Sequence, residues 1–301
     1  MTASMITGVV PILITPFDSQ GRIDVDSLQS LIDFNINSGV HGIGIANGSE
    51  IFKLNESERE LVTKIVIDHV AGRVPVIINT GAHGTSLAIQ YSKLAQEQGA
   101  DGLMIIPPHF MPVGTKQVAE YYEAIDSQIT IPIFLQDIPQ SPISPSLALE
   151  LAKKCQNISY IKVETSPCAM KVSQMVDATK DVLTIFGGAG GSYFIEEMRR
   201  GAKGTMPFCS QPKEFVEVWN LFQKGDEKEA INVFNKFILP MNRLEIQTDD
   251  LFYHLHKQFL VKLGIIKTSH VRGPTMLPDP ISQNEIDEMI ELMSKMNRKD
   301  Y

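Results

Sequence analysis

Short β-branched runs alternate with longer amphipathic runs eight times between residues 8 and 224, and this alternation constrains the fold more than any other feature of the chain. The strand-like runs are Gly8–Ile14, Gly42–Ala46, Pro75–Asn79, Gly102–Ile106, Ile131–Gln136, Ser159–Val163, Val182–Phe186 and Gly204–Phe208. Helix-like runs fall near 24–38, 55–71, 85–98, 115–127, 145–156, 167–179, 191–200 and 212–224. The strand-like runs are nearly continuous apolar stretches, the pattern of a parallel sheet buried on both faces. Strand–helix repeats give an α/β fold with right-handed crossovers. Eight of them, with no linker or second composition regime between, fit a closed (β/α)8 TIM barrel better than a doubly wound sheet. Asn55, followed three residues later by Glu58, marks a helix start. Gly39 and Gly99 sit just past helix ends, where glycine adopts the left-handed conformation cheaply.

Residues 226–301 differ from the rest. They contain no strand-like run, and three helices are expected near 226–238, 248–264 and 283–297. We read them as a helical extension packed on a barrel of residues 1–225, within the same domain. A length of 301 residues is compatible with one unit, because α/β barrels run to ~250 residues as a single domain. The net charge of −8 and the lack of a basic stretch exclude nucleic acid and anionic membranes as natural partners. No apolar run approaches the ~20 residues of a membrane helix, and Met1–Ile14 carries neither a cationic n-region nor a cleavage signal. Cys155, Cys168 and Cys209 are odd in number and spaced unlike any zinc motif, which suits reduced thiols in a cytoplasmic protein.

In barrel enzymes the reactive groups lie at the carboxyl ends of the strands and in the loops that follow. Lys162 lies inside the sixth strand-like run, where a lysine is costly unless paired or neutral. A neutral amine attacks carbonyls, so Lys162 is a candidate Schiff-base nucleophile; simple pairing with a nearby carboxylate is the alternative. Glu164 falls on the same face by period-two alternation and is either a proton shuttle or an ion-pair partner. Ala46-Asn47-Gly48-Ser49-Glu50 follows the second strand, and its small residues suit a backbone cradle for a carboxylate or a tight turn. The glycine run that includes Gly187 and Gly188, after the seventh strand, does not match a dinucleotide fingerprint; it would let a substrate approach the backbone, or form a loop. Gln136 and Asp137 end the fifth strand, His109 follows the fourth and His83 the third, all expected to face the mouth. His254 and His256, two apart on a helix, point to different sides and are rejected as a metal site.

Together these positions resemble the dihydrodipicolinate synthase / N-acetylneuraminate lyase superfamily over nearly the whole chain. The resemblance runs from Gly8–Phe17, through Gly72–Ile78 with Thr80-Gly81, to Tyr160-Ile-Lys-Val-Glu164 and the helical tail. It implies a barrel with three C-terminal helices, a homotetramer built as a dimer of dimers, and Lys162 as the imine-forming lysine. The family's two loop threonines are replaced by Asn47 and Gly48. Its proton-shuttling tyrosine is replaced by Gln136, whose amide has no accessible pKa. The second relay tyrosine corresponds to His109. No arginine stands in Pro139-Gln-Ser-Pro142, where the synthases bind their second substrate.

One branch, the 2-keto-3-deoxy-L-arabonate dehydratases, resembles the chain at these departures: the Ala-Asn-x-Ser-Glu loop, Pro107-Pro108, Gln136-Asp-Ile-Pro139 and Lys162-Val-Glu-Thr165. The implied reaction is dehydration of a 2-keto-3-deoxy sugar acid through an imine on Lys162. Glu164, Gln136 and His109 would handle protons or the leaving group. Asn47, Gly48, Ser49, Gly187 and Gly188 would hold the substrate. No cofactor or metal is required. The alternatives are a retro-aldol lyase releasing pyruvate, then dihydrodipicolinate synthase, then a silent barrel that binds a keto acid.

Overall fold

The computed structural model describes residues 5–111, 113–180, 182–248 and 250–297. The ends of the expected segments, 1–4 and 298–301, and position 249 of the expected 248–264 helix lie outside the described residues. Eight parallel strands form one sheet: β1 (Gly8–Val9), β2 (Ile43–Ile45), β3 (Val76–Asn79), β4 (Gly102–Ile105), β5 (Ile133–Asp137), β6 (Ile158–Val163), β7 (Thr184–Gly187) and β8 (Gly204–Thr205). Each strand neighbours its successor from β2 to β8, and β8 pairs with β1. The ring closes where Ile12 bridges in parallel to both Gly44 and Phe208. Helices α1 (Val25–Asn37), α2 (Glu56–Val70), α3 (Thr85–Gln98), α4 (Thr115–Asp126), α5 (Pro145–Lys154), α6 (Cys168–Thr179), α7 (Phe194–Arg199) and α8 (Pro212–Gln223) follow the strands in turn.

The first and last strands are shorter than the expected Gly8–Ile14 and Gly204–Phe208. Pro11 and Pro207 interrupt them, because proline brings no N–H to a ladder. Beyond each proline the chain still runs along its neighbours, through Ile12 and Phe208. Helix α2 starts as Asn55 and Glu58 suggest: the Glu58 N–H donates to Asn55 Oδ1 at 2.9 Å, and the Asn55 N–H donates to Glu58 Oε2 at 3.0 Å.

Alternation along the strands sorts side chains into two layers. Val10, Ile12, Ile77, Met104, Phe134, Tyr160, Phe186 and Met206 fill the barrel interior. Phe134 stacks on Tyr160 with ring centroids 4.1 Å apart, closing the floor beneath the carboxyl ends of β5 and β6. The opposite faces, among them Leu135, Ile161, Val163 and Ile185, pack against the helices.

The extension comprises α9 (Glu227–Val233), α10 (Leu239–Glu245), α11 (Leu251–Lys262) and α12 (Pro280–Asn297). The first of its expected helices, 226–238, in fact continues to Glu245. Pro240 should break it, but a π turn at Phe234–Ile238 carries the Leu239 N–H to the Phe234 carbonyl and puts Pro240 in the first turn of α10, where its missing N–H is harmless. Ile238, Met241, Leu255, Phe259 and Ile286 pack with Phe194, Phe215 and Val218 of the barrel helices. Arg272, between α11 and α12, grips Glu58 with two bonds of 2.8 Å. Among the described residues, no helix is long and apolar enough to cross a membrane.

Candidate active site

Lys162 is the next inward residue of β6 above Tyr160, with 5% of its surface exposed. Gln136 of β5 lies beside it in register, and Phe186 of β7 on its other side. The Lys162 ammonium is 2.9 Å from Glu164 Oε1. Gln136 Nε2 donates to Glu164 Oε2 at 2.9 Å, and Asn79 Nδ2 donates to Gln136 Oε1 at 3.2 Å. A polar chain, Asn79–Gln136–Glu164–Lys162, therefore crosses the barrel mouth above an apolar floor. Lys162 and Glu164 are together as the alternation predicts, and Gln136, expected at the mouth from the end of the fifth strand, joins them. Sequence reasoning missed Asn79, whose signal was its place two residues after the inward Ile77.

Glu164 follows the end of β6, and Asp137 fixes its backbone. The Asp137 carboxylate accepts from the N–H groups of Glu164 at 3.3 Å, Thr165 at 3.0 Å and Ile143 at 2.8 Å, and meets Lys171 Nζ of α6 at 2.6 Å. The expectation that Asp137 faces the mouth is corrected here. It alternates with Gln136, so its side chain turns to the helix layer and positions the loop that carries the glutamate.

The loop after β2 forms a 3-10 turn at Asn47–Ser49. The Ser49 N–H donates to Ala46 O at 2.8 Å. Its hydroxyl donates to the Leu13 carbonyl and accepts from the Ala46 N–H at 3.1 Å. Ser49 thus ties the loop to β1 and β2, and the turn bonds begin at its N–H, after those of Asn47 and Gly48. From outside, Tyr253 of α11 donates to Asn47 O at 3.1 Å. Glu50 is fully buried in a left-handed conformation, against Lys257 of α11 and 3.3 Å from Lys53. Burial lowers the Lys257 amine to about 8, against the raising influence of Glu50. Sequence reasoning did not foresee this bracing from the extension.

His109 is half-buried, with Nδ1 3.3 Å from Pro107 O and its ring 4.6 Å from that of His83. Burial, and then the neighbouring His109, hold the exposed His83 below its ordinary range. The two histidines thus contact each other in the loops after β3 and β4. His254 meets Thr275 at 3.0 Å, whereas His256 joins Ser210 at 2.7 Å and Glu245 at 2.6 Å, so the pair does diverge. The three thiols are buried and free, pushed up to about 12 for Cys155 and Cys209 and about 11 for Cys168 by burial first.

Protein side chains fill the room beside Gly187 and Gly188. A methyl group on Gly187 would overlap the Glu197 carboxyl, which comes from α7, and one on Gly188 would overlap Glu164 Cγ. The Ala189 N–H donates to Glu164 Oε1 at 3.2 Å. Glu197 is fully buried, and neither of its oxygens has a hydrogen-bond partner among the described residues. Burial first, then the charges of Glu164 and Glu196, raise its carboxyl to about 8, against the lowering effect of Lys162. Sequence reasoning missed Glu197. Its signal was a glutamate three residues after Phe194, on the buried side of a short helix.

Residues 5–295 match the model of the dihydrodipicolinate synthetase family. The L-2-keto-3-deoxyarabonate dehydratase of Azospirillum brasilense is 28% identical over 286 residues, which cover 93% of this chain and 92% of that protein. The 4-hydroxy-tetrahydrodipicolinate synthase of Methanococcus maripaludis is 32% identical over 251 residues, 81% of this chain and 85% of that protein. The crystal structure of dihydrodipicolinate synthase from Rhodopseudomonas palustris superposes with a TM-score of 0.87 at 28% identity, covering 95% of this chain and 97% of that one. With the barrel, its buried lysine and these matches together, the chain belongs to the dihydrodipicolinate synthetase family, a family of lyases.

Proposed function

We propose that this enzyme dehydrates a 2-keto-3-deoxy sugar acid through a Schiff base, with 2-keto-3-deoxy-L-arabonate going to 2-oxoglutarate semialdehyde and water. The observation that carries the reading is the buried amine of Lys162, 2.9 Å from a carboxylate that Gln136 and the Ala189 N–H hold in place.

In this reading Lys162 Nζ, as the free amine, adds to the C2 carbonyl, and loss of water leaves the iminium. The iminium draws electrons from C3. Glu164 takes the C3 proton, and the C–H electron pair forms the enamine. The enamine then expels the C4 hydroxyl, which leaves as water with a proton returned by the Glu164 carboxyl or by His109. A proton shift and hydrolysis release the semialdehyde and restore the amine. Gln136 cannot shuttle a proton, and its amide orients the base instead. Asn47 and Gly48 would present backbone N–H groups to the substrate carboxylate. Ser49 would act by holding that turn. Gly187 and Gly188 would shape the opposite wall of the site.

Borohydride trapping with pyruvate and with 2-keto-3-deoxy-L-arabonate, followed by peptide mass analysis, tests the reading. An adduct on Lys162 is expected, with semialdehyde as the product when borohydride is omitted. Release of pyruvate from the sugar acid would turn the assignment to a retro-aldol lyase. If a control lyase of the family labels well and Lys162 does not, the imine mechanism fails. A cytoplasmic homotetramer is part of the same proposal. Light scattering on the purified protein should give four times the 33.4 kDa chain mass.

A further inference from the structure

Gly187 and Gly188 form a wall one backbone thick between two carboxyl groups. Successive residues of an extended chain face opposite ways. Gly187 faces the helix layer, where the Glu197 carboxyl occupies the place of its missing side chain; Gly188 faces the barrel, where Glu164 does the same. A side chain at either position would push one glutamate away.

The two carboxyls are unequally supplied. Glu164 has Lys162, the Gln136 amide and the Ala189 N–H. Glu197 is fully buried, and its carboxyl has no hydrogen-bond partner among the described residues. A second buried negative charge without a partner is unfavourable, so the charge resides on Glu164 and the proton on Glu197. The groups that act on Glu197 are Glu164 and Lys162 from the barrel side and Glu196 on its own helix. Cys168 of α6 also faces both glutamates, with its thiol raised to about 11.

We propose that Glu197 is a positioning residue for the imine chemistry, coupled electrostatically to Glu164 across the two-glycine wall so that the two carboxyls together carry one negative charge opposite Lys162. The inference rests on Lys162 being the imine-forming residue. Ionisation of Glu197 would add a second negative charge beside Lys162, hold the lysine as its ammonium, and slow its attack on the carbonyl. Burial and the Glu164 charge, which raise the Glu197 carboxyl to about 8, defer that ionisation to alkaline solution.

The test compares wild type with Glu197→Gln, an isosteric side chain that cannot ionise. Pyruvate is mixed with each protein for short times across a pH series, and the reaction is stopped with borohydride. Dividing the variant's Lys162-adduct rate by the wild-type rate at each pH cancels the reductant's own pH dependence. The ratio should stay within about twofold of one in acid solution. Above about 8 it should rise by about tenfold, the change in rate expected when one opposite charge beside the amine is absent from the variant. A ratio that is flat across the series overturns the inference, since a purely structural Glu197 would change the rate equally at every pH. A wild type that forms no adduct at any pH rejects the imine reading itself and is thereby distinguished. If E197Q does not fold, infrared spectroscopy of the wild type decides. The carbonyl-stretch band of a buried, un-ionised carboxylic acid should disappear with a midpoint near 8, and its absence in neutral solution overturns the proposal.

Discussion

Gln136 engages both ends of its amide, donating to Glu164 and accepting from Asn79. Replacing it with leucine keeps the volume but frees the glutamate to swing and leaves the buried Asn79 amide unpaired. Gln136→Leu should lower kcat by about ten- to hundredfold with little change in KM, as expected when a reacting group is misoriented rather than lost; steady-state kinetics on the sugar acid would check this. Glu197 leaves a second mark, on stability. Burial raises its carboxyl to about 8 in the folded chain, against an ordinary value of 4.5. Between those values the unfolded chain has released a proton that the folded chain retains, so this group's contribution to stability falls as pH rises. Glu197→Gln removes that slope. Urea titrations should show the variant gaining on wild type across that window, by on the order of a few kcal/mol, with no further gain above it. Lys162 and Glu164 were legible in the sequence because strand alternation places them on one face, and Gln136 because it ends the neighbouring strand-like run. Glu197 was not, because it comes from the outer helix layer and lies behind Gly187, where no local pattern marks it.

At the scale of elements, α11 braces the loop after β2. Lys257 meets Glu50 with both side chains fully buried, and Tyr253 of the same helix holds Asn47 O. Removing Lys257 leaves the buried Glu50 carboxylate with Lys53, at 3.3 Å, in place of two cations, and removing Glu50 strands both ammonium groups. Lys257→Ala should therefore cost about 3–5 kcal/mol in denaturant titrations, and it should raise KM by loosening the Asn47–Ser49 turn. Glu50→Ala should be comparable, and the double variant should lose much less than the sum, since each change removes the same pairing. Most elements could be read from the sequence to within a few residues. The shortfalls have specific causes: Pro11 and Pro207 end the ladders of β1 and β8, and the π turn before Pro240 lets a helix continue past the expected end at 238. The pairing of Lys257 with Glu50 spans 207 positions, and no local pattern encodes it.

Over the whole molecule, the extension reaches the barrel mouth from two sides. Lys257 and Tyr253 meet the loop after β2. Asn242 of α10 donates to Gly190 O at 3.1 Å and Ser192 Oγ at 2.7 Å in the loop after β7, and His256 links Glu245 to Ser210 after β8. A chain ending at residue 225 should thus lack both stability and Lys162 labelling, despite containing all eight strands. Circular dichroism melting and pyruvate trapping of that fragment would show it, and a labelled, cooperatively melting fragment would refute it. The Glu50–Lys257 pair also bears on how the protein is made. Lys53 follows Glu50 from the ribosome almost at once, but Lys257 comes 207 positions later, so until then the Glu50 carboxylate keeps part of its hydration and the turn beside it lacks its brace. The brace on the Asn47–Ser49 turn is complete only when α11 arrives, so a translation product interrupted before it would carry the barrel strands with this loop unset.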